Sequence, residues 1–229
     1  TQNLPKPMIE VGGKPLLEST VSHLKNAGIT EIFLSVNYMA QVIEDHFRDG
    51  SDFGVHIRYL RETKTLGTAG GLSLLGELPA VPLLVMNGDV VTDINLSRLI
   101  EFHRQHRCVM TLAATEYHLN IPFGVFNLAG HYVLGVDEKP SKKFLCNAGI
   151  YAIEPEVVQM IPKDTCYDMT DVLKDVIQRG WPVAAFAVHE HWVDIGCKTD
   201  LERLQRDLAG PPPSPPVAAD LVAPEHGEA

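Results

Sequence analysis

Basic residues are scarce in this chain. Nineteen Lys and Arg stand against 29 Asp and Glu, a formal net charge of −10. That balance argues against nucleic acid or an anionic membrane surface as the main partner. A small anionic ligand needs only a local basic cluster and stays open. No run of 18 apolar residues occurs, and the opening residues show no signal-peptide pattern. Cysteine is sparse too. Cys108, Cys146, Cys166 and Cys197 form no C-x-x-C and are spaced too widely for a zinc framework. Reduced thiols and a cytoplasmic location are the expectation. There is no internal repeat.

What the chain does have is organised around Pro82 to Asp93, PLLVMNGDVVTD. The apolar run Leu83 to Met86 ends at Asn87-Gly88 and presents Asp89. A run of that length closed by a turn signal reads as a strand buried on both faces. A carboxylate just past it lies where open α/β sheets bind ligands. Asp89 is therefore a candidate metal ligand, although Asn-Gly-Asp also suits a plain turn.

Strand and helix alternate through the first 90 residues. Thr1 to Met8 is proline-punctuated and reads as neither strand interior nor helix. Ile9 to Val11 is extended, Gly12-Gly13 turns, and Pro15 suits a first helical turn. Leu16, Leu17, Val21, Leu24 and Ala27 recur at helical spacing up to Gly28. Strands are expected at 32–36 and 55–60, helices at 39–47 and 68–75. Beyond Asp93 come a helix at 96–106, a strand at 109–114, and extended pieces at 124–127 and 133–138. The last two read as a hairpin inserted in or added to the sheet. A strand at 148–153, helices at 156–160 and 170–178, a strand at 183–188 and a helix at 201–208 complete the pattern. It implies a largely parallel sheet covered on both faces. With 45% hydrophobic residues in 229, one sizeable core is expected. From Gly210 the chain is proline-rich and reads as a disordered tail.

Several constellations could carry chemistry. Leu66 to Gly71, LGTAGG, enters a helix and would let backbone approach a ligand, yet it is neither G-x-G-x-x-G nor a Walker loop. Asp194 follows a strand, as Asp89 does, and two such carboxylates could share one Mg²⁺ with phosphate oxygens. Lys6, Lys14 and Lys139 each sit beside proline, placed to meet phosphate as point charges. Asn147 to Gly149 could offer an amide and a backbone group to a sugar hydroxyl. His189 and His191 share a strand face, but Asp194 falls on the opposite one, and zinc lacks a further ligand in range. Tight turns and solvated side chains account for each of these taken singly.

In combination the pieces resemble the sugar-phosphate nucleotidyltransferase family, the sugar-1-phosphate pyrophosphorylases. The matching stretches are PKPMIEVGGKPLLE (5–18), LGTAGGL (66–72), NGD (87–89), EKP (138–140), NAGIY (147–151) and WVDIG (192–196). The subfamily resemblance is to mannose-1-phosphate guanylyltransferase-like and legionaminic acid-pathway enzymes, through HExWxDIG at 189–196. It implies a Rossmann-like three-layer α/β/α fold with a mixed, mostly parallel sheet over residues 1–209. The implied reaction joins a nucleoside triphosphate, GTP favoured, to a sugar-1-phosphate and releases pyrophosphate. Carried over by motif, Asp89 and Asp194 bind Mg²⁺. Lys6 contacts the reacting phosphates and Lys139 the sugar phosphate. Glu62, Gly67, Thr68, Asn87 and Gly88 face the nucleotide, and Asn147 and Gly149 face the sugar.

One departure stands out. The family's first strand and its G-x-G-T-R-L-x-P-L-T loop precede the P-K-P segment, and here Thr1 matches the last Thr of that motif. The expectation is an N-terminally incomplete domain, poorly active as it stands. Two other classes stay open: a non-catalytic regulatory homologue, and a glycosyltransferase of similar fold. A homo-oligomer is left open as well.

Overall fold

The computed structural model describes residues 4–195. The sequence-based helix at 201–208, the tail from Gly210, Gly196 and Cys197 lie outside the described residues. After a single 3₁₀ turn, Lys6–Met8, the two short strands β1 (Glu10–Val11) and β2 (Lys14–Pro15) fold on each other. Helix α1 (Leu16–Asn26), β3 (Glu31–Val36), α2 (Ala40–Phe47) and β4 (His56–Arg61) follow. Then come α3 (Gly67–Gly70), continued as a 3₁₀ turn to Leu74, β5 (Leu83–Met86), β6 (Val90–Thr92) and α4 (Leu96–His106). The second half runs β7 (Met110–Asn120), β8 (Val125–Ala129), β9 (Tyr132–Asp137) and β10 (Ser141–Ile153). Helices α5 (Pro155–Gln159) and α6 (Met169–Gln178), then β11 (Val183–Val188) and β12 (Trp192–Asp194), end the described chain.

Local signals explain the helix ends. Gly28, at φ +82°, closes α1 with paired bonds from Gly28 N to Lys25 O and from Ile29 N to Leu24 O. Glycine takes that left-handed position without a Cβ penalty. The Asn95 side chain accepts from Arg98 N at 3.0 Å and caps α4.

The main sheet has the order β11-β7-β10-β5. Its side chains alternate between two cores, as a two-residue strand period requires. Leu83 and Val85 of β5, Met110 and Leu112 of β7, and Tyr151 and Ile153 of β10 pack with α5 and α6. Leu84 and Met86, Ala113, and Ala148 and Ile150 pack with α4 on the other face. Helices therefore cover both faces, giving the expected three layers. The parallel pair β3–β4 rests Ile32, Leu34, Val36 and Ile57 on α1 and α2, with Phe47 buried between them.

The structure corrects several expectations. The sheet is mixed, but β10 runs antiparallel to both β7 and β5. Among the described residues only β3–β4 and β7–β11 pair in parallel, so antiparallel pairings outnumber parallel ones. Strand β5 has helices over both faces, yet all four residues are only half-buried, because β10 is its sole ladder partner among the described residues. Pro15 lies one position before α1, and Lys6–Met8 does make one helical turn, entered at Pro5. Strands β7 and β10 outrun the predicted strands by six and seven residues, because a ladder from Ser141↔Asn120 to Asn147↔Ala114 continues where little is buried. Among the described residues the hairpin β8–β9 joins no larger sheet.

Candidate functional site

The strand ends bring the backbones of two distant aspartates together. Strand β12 pairs antiparallel with β6, placing Asp194 opposite Val90. Ile195 N then donates to Asp89 O at 3.1 Å. Asp89 and Asp194, 105 positions apart in sequence, thus occupy neighbouring places on adjoining strands. Lys6 completes the group: its Nζ lies 2.5 Å from Asp89 Oδ2. Pro7 lies against Gly88, where an added Cβ would meet the proline ring at 3.7 Å. The stiff Lys-Pro segment therefore rests directly on the Asn87-Gly88-Asp89 turn. A cleft of about 290 Å³ opens beside this turn, between α1 and β6, with Lys14, His23, Met86, Thr92 and Asp93 on its walls.

Asn87 and Gly149 lock the turn to β10. Asn87 N donates to Gly149 O at 2.9 Å. Gly149 has φ +71°, and a Cβ there would sit 2.6 Å from Asn87 Nδ2. Only glycine fits both the backbone angle and the approach. The β10–β7 register breaks between Asn147 and Tyr151, the kind of bulge that re-aims side chains beside a site. Asn147 holds that break: its Oδ1 accepts from Gly149 N at 3.1 Å and its Nδ2 donates to Tyr151 Oη at 2.5 Å. Burial pushes the Tyr151 phenol up, and the Asn147 bond works against that rise. The Asn147 amide thus braces the strand break.

A second group forms around the glycine loop. Glu62 Oε1 accepts from Ser35 Oγ at 2.7 Å, and Oε2 accepts from Leu66 N at 3.0 Å. The carboxylate therefore clamps the entry to the loop. Gly67 has φ +76°, and a Cβ there would meet Asp168 Oδ1 and Tyr167 O, each at 2.7 Å. Asp168 Oδ1 accepts from Thr68 N at 2.8 Å and Thr68 Oγ1 at 3.1 Å, while Met169 N donates back to Thr68 Oγ1 at 2.9 Å. Ala69 N and Gly70 N both donate to Tyr167 O. The Tyr167 hydroxyl donates to Asp175, and that bond, with burial, pushes its phenol up to about 12. Tyr151 and Ala69 share one core with Tyr167 packed against it, so the two groups flank common packing.

Lys139 stands apart, immediately after β9. Its φ of +46° is left-handed, a conformation that costs a side-chain-bearing residue about 1–2 kcal/mol. Among the described residues it makes no ion pair, whereas Lys6 is bound to Asp89 and Lys14 lies 3.8 Å from Glu18. Ser35, Asp168 and the anchoring role of Tyr167 escaped the sequence reading. A lone serine within a strand and an aspartate before a helix carry no distinguishing pattern. No group of three or more His, Cys, Asp or Glu placed to hold a metal occurs among the described residues. The oxygen-only pair Asp89 and Asp194 suits Mg²⁺, which takes few protein ligands and fills its shell with phosphate and water.

Comparison with known proteins places the chain in a family. A nucleotidyl transferase family model matches residues 1–210. A UTP–glucose-1-phosphate uridylyltransferase of Synechocystis is 32% identical over 216 residues, covering 86% of this chain and 56% of that protein. A mannose-1-phosphate guanyltransferase of Saccharomyces cerevisiae is 30% identical, covering 87% of this chain and 58% of that protein. The chain thus spans a little over half the length of these curated relatives. The crystal structure of HddC from Yersinia pseudotuberculosis superposes with a TM-score of 0.70 at 21% identity, over 90% of this chain and 91% of that one, which establishes the shared fold. By its sequence match, this chain belongs to the nucleotidyl transferase family.

Proposed function

We propose that this chain catalyses nucleotidyl transfer from a nucleoside triphosphate to a sugar-1-phosphate, releasing pyrophosphate. The observation that carries the reading is the Lys6–Asp89 ion pair together with the backbone adjacency of Asp89 and Asp194 at adjoining strand ends. A phosphate oxygen of the sugar phosphate attacks the α-phosphorus of the triphosphate, the new P–O bond forms, and the bond to the pyrophosphate leaving group breaks. Such transfers need little covalent help from the protein, so positioning and charge neutralisation carry the rate.

Asp89 and Asp194 are the residues that would hold Mg²⁺, which when bound supplies positive charge to the reacting phosphates. Lys6 neutralises negative charge at the same turn. Lys139, without an ion-pair partner among the described residues, receives the sugar phosphate as a point charge. The Gly67–Thr68 backbone lies along the nucleotide. Glu62 and Asp168 fix the shape of that backbone through their bonds to Ser35, Leu66 and Thr68, with Glu62 on the nucleotide side. Gly149 and its strand break shape the sugar side.

GTP is the favoured nucleotide. The Leu-Gly-Thr-Ala-Gly loop and the guanyltransferase relative support this, while the uridylyltransferase relative makes UTP the first competitor. The test is pyrophosphate release with four nucleoside triphosphates against a panel of sugar-1-phosphates, with and without Mg²⁺. Release confined to one pairing and dependent on Mg²⁺ supports the reading. No release from any pairing by the folded protein overturns it in favour of a non-catalytic homologue.

A further inference from the structure

Strands β3 and β4 run parallel and end together, with Ser35 opposite Leu60 and Val36 opposite Arg61. Glu62 N donates to Val36 O at 2.9 Å, so the residue just past β4 is held to the end of β3. The carboxyl ends of parallel strands are where open α/β sheets take ligands. Ser35 and Glu62 both sit at that end, close to the entry of the glycine loop. Ser35 is exposed and Glu62 half-buried, so solvent reaches the pair.

The Glu62 carboxylate is fixed from several sides. Ser35 Oγ donates to Oε1 at 2.7 Å, and Leu66 N donates to Oε2 at 3.0 Å. Gly71 closes on the same pair: a Cβ there would overlap Ser35 Oγ and lie 3.0 Å from Glu62 Oε1. Glycine thus leaves the room in which the serine–glutamate bond is made. Three separate stretches of chain set one carboxylate. A free glutamate has considerable rotamer freedom to lose when it binds. A glutamate braced on both oxygens has given up that freedom before any ligand arrives.

The chemistry of the carboxylate decides what it can select. An ionised carboxylate only accepts, at about four positions on its two oxygens, so about two remain beyond the bonds from Ser35 and Leu66. The pairing edge of guanine carries N1–H and the N2 amino group side by side. Uracil carries one N–H between two carbonyl oxygens. In adenine and in cytosine the amino group adjoins a bare ring nitrogen that accepts. Guanine therefore offers two adjacent donors, while each other base sets at least one acceptor against the carboxylate. Bonds to a charged acceptor are about twice as strong as neutral ones, and a mismatched acceptor is rejected by repulsion.

We propose that Ser35 is a positioning residue for nucleobase choice: it holds the Glu62 carboxylate as a fixed pair of acceptors that takes the two-donor edge of guanine and turns uracil away. The inference rests on the nucleotide reading of the glycine loop given above. The experiment is isothermal titration calorimetry of the full chain with GTP, UTP and inosine triphosphate, which lacks the N2 amino group. It is run with Mg²⁺ and without sugar phosphate, beside pyrophosphate release. Wild type should bind GTP about 100-fold more tightly than UTP and about 10-fold more tightly than inosine triphosphate. Ser35→Ala should cut the GTP-to-UTP ratio about 10-fold, and Ser35→Thr, which keeps the hydroxyl, should restore it. Glu62→Gln sets an amide donor beside an acceptor and should bring the ratio near one. Equal wild-type affinity for GTP and UTP, or for GTP and inosine triphosphate, would overturn the proposal without any variant. So would a Ser35→Ala protein with the wild-type ratio, or one that loses all three nucleotides alike. Selective GTP binding without pyrophosphate release would sink the transfer reading alone, and release with no base preference would sink the base selection alone.

Discussion

Ile195 donates its backbone N–H to the carbonyl oxygen of Asp89 at 3.1 Å. That bond continues the β6–β12 ladder by one step and sets Asp194 next to Asp89. The two carboxylates are the proposed Mg²⁺ ligands, so each should be needed. Asp89→Asn and Asp194→Asn should each lower the rate of pyrophosphate release by about 10²–10³-fold, the range typical of losing one charge-stabilising group. The thermal midpoint should stay near that of wild type. Full activity in either variant removes that residue from the metal site.

Gly149 and Asn87 form a steric pair. In Gly149→Ala the new Cβ meets Asn87 Nδ2 at 2.6 Å while φ stays at +71°. The expected loss of stability is about 1–3 kcal/mol. The double variant Gly149→Ala/Asn87→Ala should recover the steric share but not the left-handed share. Urea unfolding of the four proteins separates the two, and a fully additive cycle would show that the side chains do not touch.

The loop at Gly67 should depend on Asp168. Removing its carboxylate frees Thr68 N and Thr68 Oγ1 together. Asp168→Ala should therefore raise KM for the nucleoside triphosphate by about 10-fold, in line with losing hydrogen bonds to a charged group, with a smaller effect on kcat. Asp168→Asn keeps an acceptor at Oδ1 and should stay within a few-fold of wild type. Equal damage from both variants would show that charge at this position matters, not the anchoring of the loop.

His103 should make stability pH-dependent. The side chain is buried in α4, with Nδ1 2.8 Å from Thr111 Oγ1 and Nε2 3.3 Å from Glu154 Oε1. Burial pushes its pKa below the ordinary 6.5; Glu154 pulls it back up and Arg104 adds to the lowering. A histidine held neutral in the fold but free to protonate when unfolded gives the unfolded chain the extra proton at low pH. Its stability contribution is therefore complete above about 6.5 and falls as pH drops below that value. Urea midpoints measured across this range should show the decline, and His103→Gln should flatten it. An unchanged slope in the variant would assign the pH dependence to other groups.

Local signals in the sequence determined most of the elements of this protein. The apolar run Leu83 to Met86, the β-rich 183–188, the helical spacing before Gly28 and the glycine turns correspond to elements in the structure within a residue or two. They are set by short-range causes: burial period, φ preference and missing donors. The motif order also sufficed to name the family, because the site residues sit in turns whose chemistry is written locally.

Tertiary structure decided the rest. The place of Asp89 and Asp194 after strands already paired them in the sequence, but the antiparallel register that sets Asp194 opposite Val90 leaves no local mark in WVDIG or NGD. Glu62, expected at the nucleotide, accepts from Ser35 and Leu66 N, and Asn147, expected at the sugar, bonds Tyr151 and Gly149, partners that the sequence does not name. Hydrogen-bond partners are chosen by distance in space, and side-chain identity alone does not reveal them. The outer halves of β7 and β10 stayed hidden for a related reason. Exposed on both faces, they carry no in–out alternation, and their strand form comes from the ladder each provides for the other.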